Sequence, residues 1–181
     1  MTYGLSSCYE KAEPETFLIP SSYLGEVNIL FNQNGIPVRY RNEVGRDTVY
    51  VPKVGAAIKY ESGRRLYEIP SDGILLTQFK ENNGFIDRQY YSVDTTGERT
   101  GLEVFEFEHF ARDSAGYKVS DKNKIGIFGD GTSGSYGNMH ISFQDFTVCS
   151  YNQLDSFFRK DSQRQFDDKL EKATGLTLHL K

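Results

Sequence analysis

Tryptophan is absent from the 181 residues, cysteine occurs twice and histidine three times. Two cysteines are too few for a disulfide framework in a chain of this length. His109, His140 and His179 are scattered, with no His-x-x-x-His and no Cys-x-x-Cys, so no metal and no cofactor is expected. No apolar run approaches the ~20 residues that span a bilayer. A basic excess is missing as well: 21 Lys and Arg against 25 Asp and Glu leave a formal net charge of −4, which argues against nucleic acid as a partner. What is abundant is aromatic, with 12 Tyr and 13 Phe making up 14% of the chain. At 38% hydrophobic and 25% charged residues the chain can bury a core, and its length fits one domain.

From Phe17 onward the pattern is that of strands. Val27, Ile29 and Phe31 alternate with polar residues on a period of two, and Asn34-Gly35 supplies turn chemistry directly after them. Short runs of the same kind recur at Val38 to Arg41, Thr48 to Val51, Ala57 to Tyr60, Leu66 to Ile69 and Ile74 to Phe79. Others follow at Phe85 to Val93, Leu102 to Phe110, Lys124 to Phe128 and Met139 to Cys149. Turn clusters such as Glu61-Ser62-Gly63 and Pro70-Ser71-Asp72-Gly73 separate them at sandwich-like spacing. Within Leu102 to Phe110, Phe105 and Phe107 face one way while Glu106 and Glu108 face the other, which reads as the solvated face of a strand rather than a paired-carboxylate site. One helix is expected over about residues 151–174: Ser150 to Gln153 fits a capping box, Leu154, Phe157, Phe158, Phe166 and Leu170 form an apolar stripe, and Gly175 is a natural stop. The expectation is mainly β: an antiparallel β-sandwich with one C-terminal α-helix packed on it, a single domain over residues 17–181.

The two cysteines differ in setting. Cys149 follows Phe146-Thr147-Val148 and reads as a small buried hydrophobe. Cys8 closes Leu5-Ser6-Ser7-Cys8 and is followed by a polar, proline-containing stretch to Thr16, an arrangement that resembles a bacterial lipobox with a flexible tether behind it. Residues 1–16 are then a signal-peptide remnant and tether, Cys8 is the lipidation site, and the protein sits at the bacterial cell envelope, periplasmic or on the outer membrane. Met1 to Gly4 carries neither the basic start nor the apolar stretch of a signal peptide. The other reading is a chance match in a cytoplasmic protein.

Phe128 to Asn138 is the most unusual segment, rich in glycine and small polar residues. It lacks the lysine and following helix of a phosphate loop and the spaced oxygens and closing glutamate of a calcium loop. The glycine-rich stretch Gly126 to Gly137 is expected to be a long loop, with Asp130, Ser133, Tyr136 and Asn138 offered to a ligand or partner. Arg88-Gln89-Tyr90-Tyr91 adds Arg88 and Tyr90 as a second contact suited to carbohydrate or protein. No catalytic residue is assigned and no enzyme activity is expected. The contrasting reading is a hydrolase in which a serine of Gly129 to Asn138 works with His140 and Asp130 or Asp145.

Two segments resemble an uncharacterised family of bacterial lipoprotein-type extracytoplasmic domains. Phe17-Leu18-Ile19-Pro20-Ser21-Ser22-Tyr23-Leu24-Gly25-Glu26-Val27-Asn28-Ile29 is similar to that family's opening, and Arg64 to Leu75 carries a similar Tyr67-Glu68-Ile69-Pro70-x-x-Gly73-Ile74-Leu75 pattern. The pattern also resembles β-sandwich repeats of the transthyretin or carboxypeptidase-regulatory type, over about Phe17 to Phe79. The resemblance implies an extracytoplasmic sandwich and no activity, and the function expected is a non-enzymatic domain, held at the membrane by a lipid anchor alone, that binds a protein or glycan. An immunity or inhibitor lipoprotein acting against a toxin is the alternative, and it would carry an acidic patch matched to a basic enzyme.

Overall fold

The structure, a computed structural model, describes residues 12–41, 45–111, 114–136 and 141–175. Two five-stranded sheets carry the core. The first runs β5 (Tyr60–Glu61), β6 (Arg64–Glu68), β1 (Glu15–Pro20), β8 (Arg88–Val93) and β9 (Arg99–Gly101) in spatial order. The second runs β10 (Glu103–Phe105), β13 (Ile125–Tyr136), β14 (Ile141–Ser150), β2 (Gly25–Leu30) and β7 (Ile74–Leu76). Two hairpins pair by themselves, β3 (Val38–Arg41) with β4 (Asp47–Tyr50) and β11 (Phe107–Ala111) with β12 (Ser114–Tyr117).

Pairing within the sheets is mixed rather than purely antiparallel. β1 runs parallel to both β6 and β8, β10 to β13, and β2 to β7. The reason is topological. β1 and β2 are consecutive, but the short turn between them carries the chain from one sheet to the other, so neither pairs with its neighbour in sequence. Each then receives partners from later in the chain. One apolar cluster draws Phe17, Ile19, Tyr67 and Tyr90 from the first sheet and Val27, Ile29, Ile127, Phe146 and Val148 from the second, so the inward faces of both sheets share a core. The alternation of Val27, Ile29 and Phe31 serves that core.

The expected single helix is two. α1 (Tyr151–Phe157) starts at Ser150, whose backbone N–H donates to Gln153 Oε1 at 3.1 Å. Arg159 then takes an extended conformation (φ −69°, ψ 143°), and the chain restarts as α2 (Lys160–Thr174). α2 stops where expected: Gly175 is left-handed (φ 77°) and its N–H reaches Glu171 O at 2.7 Å. Leu170, with Phe166 and Ala173, packs on Leu30, Ile74 and Ile141 on the other face of the second sheet. Lys53 Nζ donates to the Lys172 and Ala173 carbonyls, placing a cation at the C-terminal end of the helix dipole.

The glycine-rich loop expected over Gly126 to Gly137 is also corrected: through Tyr136 it is strand, paired antiparallel to β14 from Ile125↔Ser150 to Tyr136↔Ile141 with a register shift between Phe128 and Thr132. Gly126 shows why glycine belongs there. A Cβ would lie 2.4 Å from the Phe105 ring and 2.6 Å from Glu103 O, because β10 presses in alongside. Leu102 to Phe110 splits at Glu106, so Phe105 is buried beside Phe128 while Phe107 is exposed in the hairpin with β12. Cys149 is fully buried, as its surroundings suggested, and desolvation pushes its thiol up to about 12, which leaves it inert as a nucleophile.

Candidate functional site

The residues named from sequence come together in part. Arg88 and Tyr90 leave β8 on its inward face, two residues apart, and Asp130 reaches them from β13 of the opposite sheet. Tyr90 Oη donates to Asp130 Oδ1, and Arg88 Nη1 lies 3.4 Å from the same oxygen. Arg88 Nε is also 3.0 Å from Oε2 of Glu15, a carboxylate with no exposed surface. Tyr67 Oη and Asn82 Nδ2 both donate to Glu15 Oε1 at 3.2 Å. Sequence reasoning placed Glu15 in a polar tether, although its alternation with Phe17 and Ile19 puts all three on one face.

Parallel register explains this cluster. Glu15 pairs with Arg65 on one side and Arg88 on the other, and Phe17 pairs with Tyr67 and Tyr90 in the next inward-facing row. Arg65 turns instead to Glu13, with Nη2 2.6 Å from Oε2. Phe17 stacks between the two tyrosines, its centroid 4.9 Å from Tyr67 at 13° and 4.7 Å from Tyr90 at 11°. Each tyrosine hydroxyl then ends on a carboxylate. Burial first, and the adjacent carboxylate second, hold both phenols well above their ordinary range, so they remain donors. Arg64 closes the cluster from the other face of β6, donating to Glu15 O and Asp87 O, each at 2.7 Å. With the Arg88 side chain 17% and the Asp130 side chain 21% exposed, these groups face each other rather than solvent. The arrangement fastens β1 into its sheet and ties the two sheets at one end.

Ser133 and Tyr136 keep strand positions, but their side chains, like that of His109, lie outside the described residues, as do Cys8, Asn138, His140 and His179 in full. The hydrolase constellation therefore falls outside them too.

A second site was not read from the sequence. A cavity of about 310 Å³ lies between α2 and the outer face of the second sheet. Glu26 and Asn28 of β2 and Asp145 of β14 point into it from the sheet, and Gln163 and Asp167 from α2. Phe143, Phe158 and Phe166 supply its aromatic wall. Register accounts for the sheet side, since Asn28 pairs with Asp145 and Leu30 with Phe143 on one face. Burial, then the charges of Asp145 and Asp167, push the Glu26 carboxyl up to about 7, against the opposing hydrogen bond from Gln163 Nε2. The Tyr23 hydroxyl donates to the backbone carbonyl of Glu26.

Between the ordinary glutamate value near 4.5 and about 7, the folded chain holds a proton that the unfolded chain has released, so stability falls as pH rises through that window and is level above it. Glu26→Gln should remove that slope and stabilise the protein at pH 8 by about 1–2 kcal/mol, solvent contact of a half-buried group screening the rest. Urea midpoints of both proteins at pH 5 and pH 8 check it; parallel pH dependences would refute it.

No curated protein matches the sequence. A crystal structure described as "Putative Lipoprotein from Bacillus anthracis" shares the fold over 91% of this chain and 99% of its own, with a TM-score of 0.50 and 16% identity. A model of a family of unknown function (DUF6843) matches residues 36–157, more than half of the chain and including the Tyr67 to Leu75 pattern, Arg88, Tyr90 and Asp130. The chain belongs to that family.

Proposed function

We propose that the chain is a non-enzymatic binding domain of the bacterial cell envelope, anchored through a lipid on Cys8 and presenting its β-structure to a protein or glycan partner. The observation that carries this reading is the fold likeness to the Bacillus anthracis protein, which spans 99% of that chain rather than one shared motif. Leu5-Ser6-Ser7-Cys8 supports it independently, because a lipobox requires small residues directly before the acylated cysteine. The Arg88, Tyr90 and Asp130 cluster supports a non-catalytic reading, since its hydrogen bonds are directed inward, to one another and to Glu15.

Metabolic palmitate labelling of the full-length chain in a bacterial host tests the anchor. The expected result is a labelled, membrane-associated, globomycin-sensitive product, with label and membrane association both lost in Cys8→Ala. An unlabelled cytosolic product would overturn the reading.

A further inference from the structure

We propose that the cavity between α2 and the second sheet binds a small organic polycation, a linear molecule with two or more ammonium groups separated by methylenes. The proposal goes beyond the reading of this chain as a protein- or glycan-binding domain and is independent of the lipid anchor.

Three features select that chemistry. The first is charge. Glu26, Asp145 and Asp167 enter the cavity from three different elements, and no lysine, arginine or histidine lines it among the described residues. The second is the spacing of that charge. Among the described residues no group of three or more acidic, histidine or cysteine side chains is gathered closely enough to hold a metal ion. Carboxylates spread around a cavity match charges spread along a flexible chain better than one point charge, whose oxygen ligands must converge to ~2.0–2.6 Å. The third is the wall. Phe143, Phe158 and Phe166 offer rings that attract ammonium groups within ~6 Å of their centroids and apolar surface against which methylenes lose their water. At about 310 Å³ the cavity is at the lower end of the range for small-molecule sites, roughly 300–1,000 Å³, which suits a short linear ligand better than an oligosaccharide.

The site is linked to protonation. A cation bound beside Glu26 favours its carboxylate, so binding must expel the proton that burial and the charges of Asp145 and Asp167 retain there at neutral pH and below. Affinity therefore falls as the solution is acidified from pH 8 to pH 5.5, whereas a cation held only by ordinary surface carboxylates shows little change over that range.

Calorimetric titration of the protein with spermidine at pH 8 and low salt tests the proposal. Saturable one-to-one binding is expected, weakened about tenfold or more by Glu26→Gln and by Asp167→Asn, each of which removes a charged hydrogen-bond partner. Phe158 is 59% exposed, so Phe158→Ala leaves the fold intact, which a thermal melt verifies, and should also weaken binding measurably. Absence of binding at millimolar spermidine, affinity unchanged from the parent in all three variants, or magnesium chloride or maltotriose binding in preference to spermidine at the same residues would each overturn it. None of these outcomes bears on palmitate labelling at Cys8, so failure of the ligand and failure of the anchor are distinguishable.

Discussion

Replacing Arg88 with methionine should lower the unfolding free energy by about 3–5 kcal/mol, because it strips a fully buried carboxylate of its cation. Glu15 would keep its hydrogen bonds from Tyr67 and Asn82, but neutral donors do not offset the desolvation of a charge at zero exposure. Asp130 would lose the same guanidinium and retain the Tyr90 hydroxyl. The effect belongs to the unpaired charge rather than to the pair. A Glu15→Gln/Arg88→Met double variant should therefore recover much of the loss, since a neutral amide can keep the Tyr67 hydrogen bond. Urea midpoints of the single and double variants decide the matter. A single variant within about 1 kcal/mol of the parent would mean that water reaches Glu15 and that the cluster does not fasten the sheet.

Phe17→Ala should cost a comparable amount, about 3–5 kcal/mol, by a different mechanism. Phe17 is fully buried on the central strand of the first sheet, stacked between Tyr67 and Tyr90 and met edge-on by Phe146 at 5.6 Å. The cavity cannot easily collapse, because each flanking ring is held at its hydroxyl by a carboxylate. Phe17→Leu keeps most of the apolar volume and loses the ring stacking, so its cost should stay below about 1.5 kcal/mol. A large gap between the two variants is the expected result; equal losses would show that ring geometry, not volume, carries this core.

How much of this was legible depended on how far apart in the chain the partners lie. Val27, Ile29 and Phe31 announced a half-buried strand, and Ser150 and Gly175 marked the ends of the helical region, because those signals are local. The break at Phe158 and Arg159 carries no proline or glycine and left no comparable mark. The glycines after Ile125 were misread for a physical reason: glycine favours loops when nothing crowds it, yet Gly126 is needed in a strand because Phe105 and Glu103 lie against it. The parallel pairings were hidden because nothing local shows that the turn after Pro20 changes sheet. Arg88, Tyr90 and Asp130 were picked out as a possible surface and proved to meet one another, their true partner Glu15 having been assigned to a tether. The cavity gathers Glu26, Asp145 and Asp167, residues more than a hundred positions apart at the extremes, and only the fold unites them.

The position of β1 has a kinetic consequence. Its contacts reach forward 52 residues to Tyr67 and 73 residues to Arg88, so a strand made early must wait, with both edges open, for partners made much later. Closing loops of that length before any pairing is gained is slow, and proteins dominated by such contacts fold in milliseconds to seconds rather than microseconds. During that interval Phe17-Leu18-Ile19 is an apolar segment without a sheet around it, the kind of segment that associates with other chains.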